Sequence, residues 1–353
     1  MKRWLFFIVP LVLLFGAVLW VSREQPAPLV AIPDNATDVL DDPRFAEPED
    51  WTTRELKVDG AGTVRIGLGS HFAPTAVVVF FPGYSAPLNI YYESFTRLMD
   101  EGYAVVGIDW PSQGGSSRPL ANPQKIHATS LDPHVTAGQA AIRTAREVYP
   151  NLPVFVVGLS MGAQLGTRVL ATADGESVTA AALITPAYGL YGDRPSSVEK
   201  ALLNMLQGMG LGERYAPGTT DWSYDLQVHN LEASDCSHPN PRTRLWYSWM
   251  VVDPTLKVGG LTNDFLIAML ESGASAAQAK TLKELTLPVW MPLAENDTFV
   301  DNAKSEAACA ALSNCEGKVY AEARHCLFEE ADDFYQPFMN DLITFLERHT
   351  PET

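Results

Sequence analysis

The chain has 353 residues, of which 46% are hydrophobic and 19% charged, and its formal net charge is −17. That balance fits one large domain with an insertion, or two small domains, around a substantial core, and it argues against global disorder. So acidic a surface repels phosphate backbones and anionic headgroups, which argues against nucleic acid as a partner and against adsorption to lipid through a basic patch.

Lys2 and Arg3 precede a run without polar side chains from Trp4 to Val21, about the minimum length of a bilayer span. The basic flank favours an N-terminus in the cytoplasm and a body outside it. A cleavable signal peptide has the same flank, but a shorter apolar stretch and a small-x-small ending; this run ends Leu19-Trp20-Val21-Ser22-Arg23. Residues 1–22 are therefore expected to be a single-pass anchor in the cytoplasmic membrane, with the folded body on the outer side; secretion after cleavage is the alternative. Residues 23–50 carry Pro26, Pro28, Pro33, Pro43 and Pro48 among several acids and read as an extended tether.

From Trp51 onward strand and helix patterns alternate. Apolar runs at 76–81, 103–108, 153–157, 178–184 and 287–293 suit strands buried on both faces of a parallel sheet. Helix-like stretches separate them at 91–101, 135–148, 161–173 and 301–312. A last one, 332–349, puts Phe334, Phe338, Leu342 and Phe345 on one face. This order predicts an α/β fold, a mostly parallel sheet flanked by helices. The alternation breaks between 188 and 285, where helix-like pieces carry Leu202, Met205, Leu206, Met209, Leu211, Trp222, Leu245, Trp246, Trp249 and Met250. The expectation is a helical cap inserted between two parts of one core, 51–187 and 286–353. Its greasy underside would be either ordinary packing or an acyl-binding surface.

Gly158-Leu159-Ser160-Met161-Gly162 follows an apolar strand and opens a helix rich in small residues. That is the setting of a nucleophile elbow in the α/β-hydrolase fold, where a tight turn exposes the serine at the end of the sheet and a helix N-terminus favours negative charge. A serine hydroxyl is a weak nucleophile and needs a base. Of the seven histidines His71, His127, His134, His229, His238, His325 and His349, His325 fits: it follows the last strand-like run, 318–321, and precedes the terminal helix. The acid belongs after the preceding strand, where Asp297 is favoured over Asp301, which reads as a helix start, and over Glu295. The amides of Met161, next after the serine, and Tyr84, on the loop after Phe81, are expected to form the oxyanion hole. Pro82 has no N–H to offer. No metal-ligand cluster or phosphate-cradling glycine loop is present in the sequence, so neither metal nor cofactor is implied.

Cys236, Cys309, Cys315 and Cys326 include no Cys-x-x-Cys pair, which argues against zinc or a redox motif. In an exported protein the even count permits disulfides, although buried free thiols remain open. Cys309 and Cys315 are close in sequence and are expected to pair. Cys236 and Cys326 could then tie the insertion to the loop of His325.

These segments resemble the bacterial lysophospholipase L2 and monoacylglycerol lipase branch of α/β-hydrolases, from about Val77 to the terminal helix. The resemblance rests on the 109–118 stretch Asp-Trp-Pro-Ser-Gln-Gly-Gly-Ser-Ser-Arg, the Ser-Met-Gly elbow, and Val258-Gly259-Gly260-Leu261-Thr262. It rests also on Asp297-Thr298-Phe299-Val300-Asp301-Asn302 and on Ala323-Arg324-His325 followed by Phe328-Glu329. Three positions depart from the family pattern: Pro82-Gly83-Tyr84 at the oxyanion loop, Pro111-Ser112 where the family has Arg-Gly, and Ala163 for a second glycine after the elbow. The resemblance implies a serine hydrolase acting on esters of monoacyl lipids. A carboxylesterase, thioesterase, acyltransferase or peptidase is the enzymatic alternative, and a membrane-tethered binding protein on an inactive scaffold is the non-enzymatic one.

Overall fold

The computed structural model describes residues 31–351 apart from 72, 194, 234 and 235. The expected anchor, Trp4 to Val21, lies outside these residues; among those described, no helix is long and apolar enough to cross a membrane.

Eight strands form one sheet: β1 (Thr52–Val58), β2 (Gly62–Gly69), β3 (Ala76–Phe81), β4 (Tyr103–Ile108), β5 (Val154–Leu159), β6 (Ala180–Ile184), β7 (Val289–Ala294) and β8 (Cys315–Tyr320). Their order is β1-β2-β4-β3-β5-β6-β7-β8. The pairs β1–β2 and β2–β4 are antiparallel and all the others parallel. Strands β3 to β7 are buried along their whole length, because helices cover both faces. Alternate residues serve opposite cores. Val77, Val79 and Phe81 pack with α2 (Asp132–Val148) and α3 (Met161–Leu170), whereas Ala76, Val78 and Phe80 pack with α1 (Tyr92–Asp100). The terminal helix lies on this second face too, with Phe338, Leu342 and Phe345 buried and Phe334 partly buried beside them.

Between β6 and β7 the described residues form α4 (Ser197–Gly208), α5 (Tyr224–Ala233), α6 (Leu245–Val252), α7 (Asn263–Ala276) and the short α8 (Ala279–Leu282), with no strand among them. Helices α9 (Asn302–Ala311) and α10 (Asp332–His349) complete the fold. Both disulfides are formed. Cys309–Cys315 joins the end of α9 to the start of β8, and Cys236–Cys326 spans 90 residues from the inserted helices to the loop after β8.

One expectation needs correction. The stretch read as an extended tether is, over its second half, part of the body. Two 3-10 turns, Asp38–Asp41 and Pro43–Phe45, carry Val39 and Phe45 into the core beneath α1, and Ala36 is buried with them. Pro43 does not extend the chain here but starts a turn, capped by Asp42, which accepts the N–H of Arg44.

Candidate active site

Ser160 sits between β5 and α3 with φ 54° and ψ −114°, a strained backbone for a residue with a side chain. The two flanking glycines make that turn physically accessible. A Cβ on Gly162 would lie 2.0 Å from the Phe81 carbonyl oxygen, and one on Gly158 would lie 2.7 Å from that of Gly162. Strand, turn and helix could not approach so closely with any larger residue.

The loop after β3 reaches the same point, since a Cβ on Gly83 would stand 3.8 Å from Ser160 Cβ. The loop is held from behind: Trp110 donates its indole N–H to the Pro82 carbonyl, and the Ser85 amide donates to Gln113 Oε1. Asp109, fully buried, accepts from the Leu88 and Gly115 amides and pairs with Arg65. The 109–118 stretch thus acts as a brace for the loop that carries Tyr84.

His325 and Asp297 are both 4% exposed. Asp297 Oδ2 lies 2.6 Å from His325 Nδ1, and Ser160 Oγ lies 2.9 Å from His325 Nε2. A carboxylate only accepts, so Nδ1 carries the ring proton and Nε2 is left to receive the one from Ser160. The other oxygen of Asp297 accepts the amides of Phe299 and Val300 at 2.8 and 2.9 Å. With both oxygens occupied the carboxylate cannot swing away from the ring. Phe299 stacks on His325 with ring centroids 5.2 Å apart, and the Asn296 amide donates to the Ala323 carbonyl, tying the acid loop to the histidine loop. The arrangement can move a proton from a serine hydroxyl onto a ring whose cation a buried carboxylate balances.

Asp301 and Glu295 are not part of this relay. Asp301 caps α9 through the Ala303 amide, and Glu295 accepts the Glu322 amide. The other histidines lie elsewhere: His71 beside Asp100, His127 on Thr262, His238 on Glu330, His134 buried in α2, His349 at the end of α10 and His229 within α5.

Ser160 and His325 open on a cavity of about 230 Å³, which Tyr84 also lines. Of the ten apolar residues that the sequence offered as a cap underside, Trp246 alone lines it. Leu206, Leu245 and Met250 are buried in the protein's own packing. The disulfide pair Cys236 and Cys326 also lines it, as does Glu329, which the sequence reading cited only within the family resemblance. Glu329 is 2% exposed, and burial, reinforced by the charge of Glu330, pushes its carboxyl up to about 7 although the Trp246 indole N–H donates to Oε2.

A pH prediction follows from Glu329. In the unfolded chain this carboxyl ionises near 4.5; in the fold it keeps its proton until about 7. The folded state therefore binds the extra proton, and stability should fall as pH rises from 4.5 through 7, by about 3 kcal/mol in all. Glu329→Gln should remove this term, so that variant and wild type differ little at pH 5 and the variant is the more stable at pH 8. Chemical denaturation at both pH values measures the gap; parallel pH–stability curves would exclude the effect.

The family model described as Serine aminopeptidase, S33, matches residues 73–332. Lysophospholipase L2 of Escherichia coli K12 is 27% identical over 286 residues, covering 77% of this chain and 81% of its own. Monoacylglycerol lipase of Mycolicibacterium smegmatis is 25% identical over 303 residues, covering 84% and 98%. Among solved structures, a soluble variant of monoglyceride lipase from Saccharomyces cerevisiae with a substrate analogue superimposes with a TM-score of 0.67 at 17% identity, covering 87% of this chain and 97% of that one. The shared fold is that of the α/β-hydrolases.

Proposed function

The chain belongs to the Serine aminopeptidase, S33, family of α/β-hydrolases, and from that premise we propose that it is a serine hydrolase cleaving carboxylic esters of monoacyl lipids. The observation that carries this reading is the continuous path Ser160–His325–Asp297 opening on one cavity.

Ser160 Oγ attacks the ester carbonyl as its proton passes to His325 Nε2. The carbonyl oxygen becomes an oxyanion, held by the amides of Met161 and Tyr84. Collapse breaks the bond to the alcohol, which leaves with the proton from His325. A water then gives its proton to the same nitrogen and attacks the acyl-enzyme; the second collapse releases the fatty acid and returns the proton to Ser160. Asp297 holds the ring and balances its charge without taking a proton.

The names of the relatives favour lipid esters, whereas the family takes its description from an aminopeptidase. A panel of short-chain esters, monoacylglycerols, lysophospholipids and aminoacyl amides tests the reading. Hydrolysis of the monoacyl lipids should give the highest kcat/KM, with labelling of Ser160 by a fluorophosphonate. Preference for aminoacyl amides would replace this reading with a peptidase, and an unlabelled Ser160 would leave a binding protein on an inactive scaffold.

The apolar run behind Lys2 and Arg3 is proposed to anchor the enzyme in the cytoplasmic membrane with its catalytic domain outside. The two disulfides support export, since such bonds persist in oxidising compartments. A tethered enzyme meets lipid at a raised local concentration that its acidic surface could not secure alone.

A further inference from the structure

Two adjacent acids follow the histidine loop, and the fold treats them differently. Glu330 is fully buried and fully engaged: it accepts the amides of Arg324, His238 and Ala331 and faces the His238 ring. Glu329 accepts only the Trp246 indole N–H, through Oε2; its Oε1 is buried and pairs with nothing among the described residues. It lines the same cavity as Ser160 and His325. An unpaired carboxyl oxygen in such a place is costly unless a ligand completes it.

We propose that Glu329 selects the leaving group: its free Oε1 pairs with a hydroxyl of an uncharged polyol ester, and its carboxylate disfavours a phosphodiester headgroup. This rests on the ester-hydrolase reading above and narrows its substrate class. An acyl chain has no group that can pair with a carboxyl, so Glu329 fits only the alcohol half of the substrate. A phosphodiester would need a cation, and no Lys or Arg is among the described residues lining the cavity. An ammonium brings three N–H donors to one free oxygen, whereas a hydroxyl needs only one partner. The remaining walls include Tyr91, Leu159, Trp246 and Phe299, which suit a neutral group better than an ion. Above pH 7 the carboxyl is ionised and both accepts from the hydroxyl and repels a phosphate.

The test compares three esters of one acyl chain at pH 8: a monoacylglycerol, a lysophosphatidylcholine and a methyl ester without hydroxyls. Wild type should prefer the monoacylglycerol. In Glu329→Met the kcat/KM ratio of monoacylglycerol to methyl ester should fall roughly tenfold to hundredfold, as expected when a buried hydroxyl loses its partner. In Glu329→Gln, which keeps hydrogen bonding but not charge, that ratio should stay within about threefold while lysophosphatidylcholine gains on both, the signature of lost repulsion. A monoacylglycerol-to-methyl-ester ratio unmoved in Glu329→Met, no gain of lysophosphatidylcholine in Glu329→Gln, or a wild-type preference for lysophosphatidylcholine would overturn the proposal while leaving the hydrolase reading intact. A preference for aminoacyl amides that Glu329→Gln abolishes would give the carboxylate to an ammonium instead. Wild-type protein that cleaves none of the three esters would defeat the ester-hydrolase reading itself.

Discussion

Ser160→Ala should reduce ester hydrolysis by about a millionfold and abolish fluorophosphonate labelling, with the fold unchanged. Its Oγ is the atom that would bond to the substrate, and it is the one that lies 2.9 Å from His325 Nε2. His325→Ala should cost nearly as much, because without Nε2, 2.9 Å away, the serine stays protonated. The two should not add: Ser160→Ala/His325→Ala should be no slower than either single variant, since serine and base act as one unit. What remains would be the contribution of the oxyanion amides and of binding, still above the rate in water.

The acid separates two readings of the loop after β7. Asp297→Asn keeps the shape but removes the negative charge that fixes the His325 proton on Nδ1, and should lower kcat by about 10⁴-fold. Asp301→Asn should change kcat by less than about tenfold, and stability little, because asparagine caps a helix as well as aspartate does. Steady-state rates of the two variants decide it, and a greater loss in Asp301→Asn would refute the assignment of Asp297.

Ser160, Asp297 and His325 could be proposed because each is tied to a local signal: glycines for a turn no Cβ fits, an acid in the loop after the apolar β7, and a histidine between the short, mostly exposed β8 and the terminal helix. The strands β3 to β7 were legible for a similar reason, being apolar without interruption. The first two strands were not. β1 is exposed along most of its length and reads as Thr-Thr-Arg-Glu-Leu-Lys-Val, while β2 holds three glycines and an arginine although its last four residues are buried, so neither shows an uninterrupted apolar run in the sequence. Glu329 could not be read either. Its burial depends on Trp246, 83 residues earlier on α6, and nothing local distinguishes it from the engaged Glu330. The inserted helices show the same limit: their apolar content announced a buried face, but most of that face packs against the protein itself.

Removing residues 1–31 should leave a stable, active domain, and removing residues 1–50 should not. The second cut deletes Ala36, Val39 and Phe45, which are 1%, 6% and 1% exposed. Loss of a buried Phe alone costs about 3–5 kcal/mol, a large part of the roughly 5–15 kcal/mol that stabilises a typical domain. Several polar groups would lose their partners as well. Tyr92 donates to Glu47 at 2.8 Å, Ser248 to the Ala36 carbonyl at 2.7 Å, and Arg244 to the Asn35 carbonyl at 3.0 Å. The last two sit on or beside α6, the helix that brings Trp246 to the cavity, so damage here should reach the active site. Thermal unfolding of versions beginning at Ile32 and at Trp51 measures the difference. The longer should melt cooperatively and keep its rate on a dispersed short-chain ester, since Ser160, Asp297 and His325 all lie within it. The shorter should melt far lower or fail to fold. Equal melting temperatures would mean that Phe45 and its neighbours only rest on the body, and would restore the whole of 23–50 as a tether.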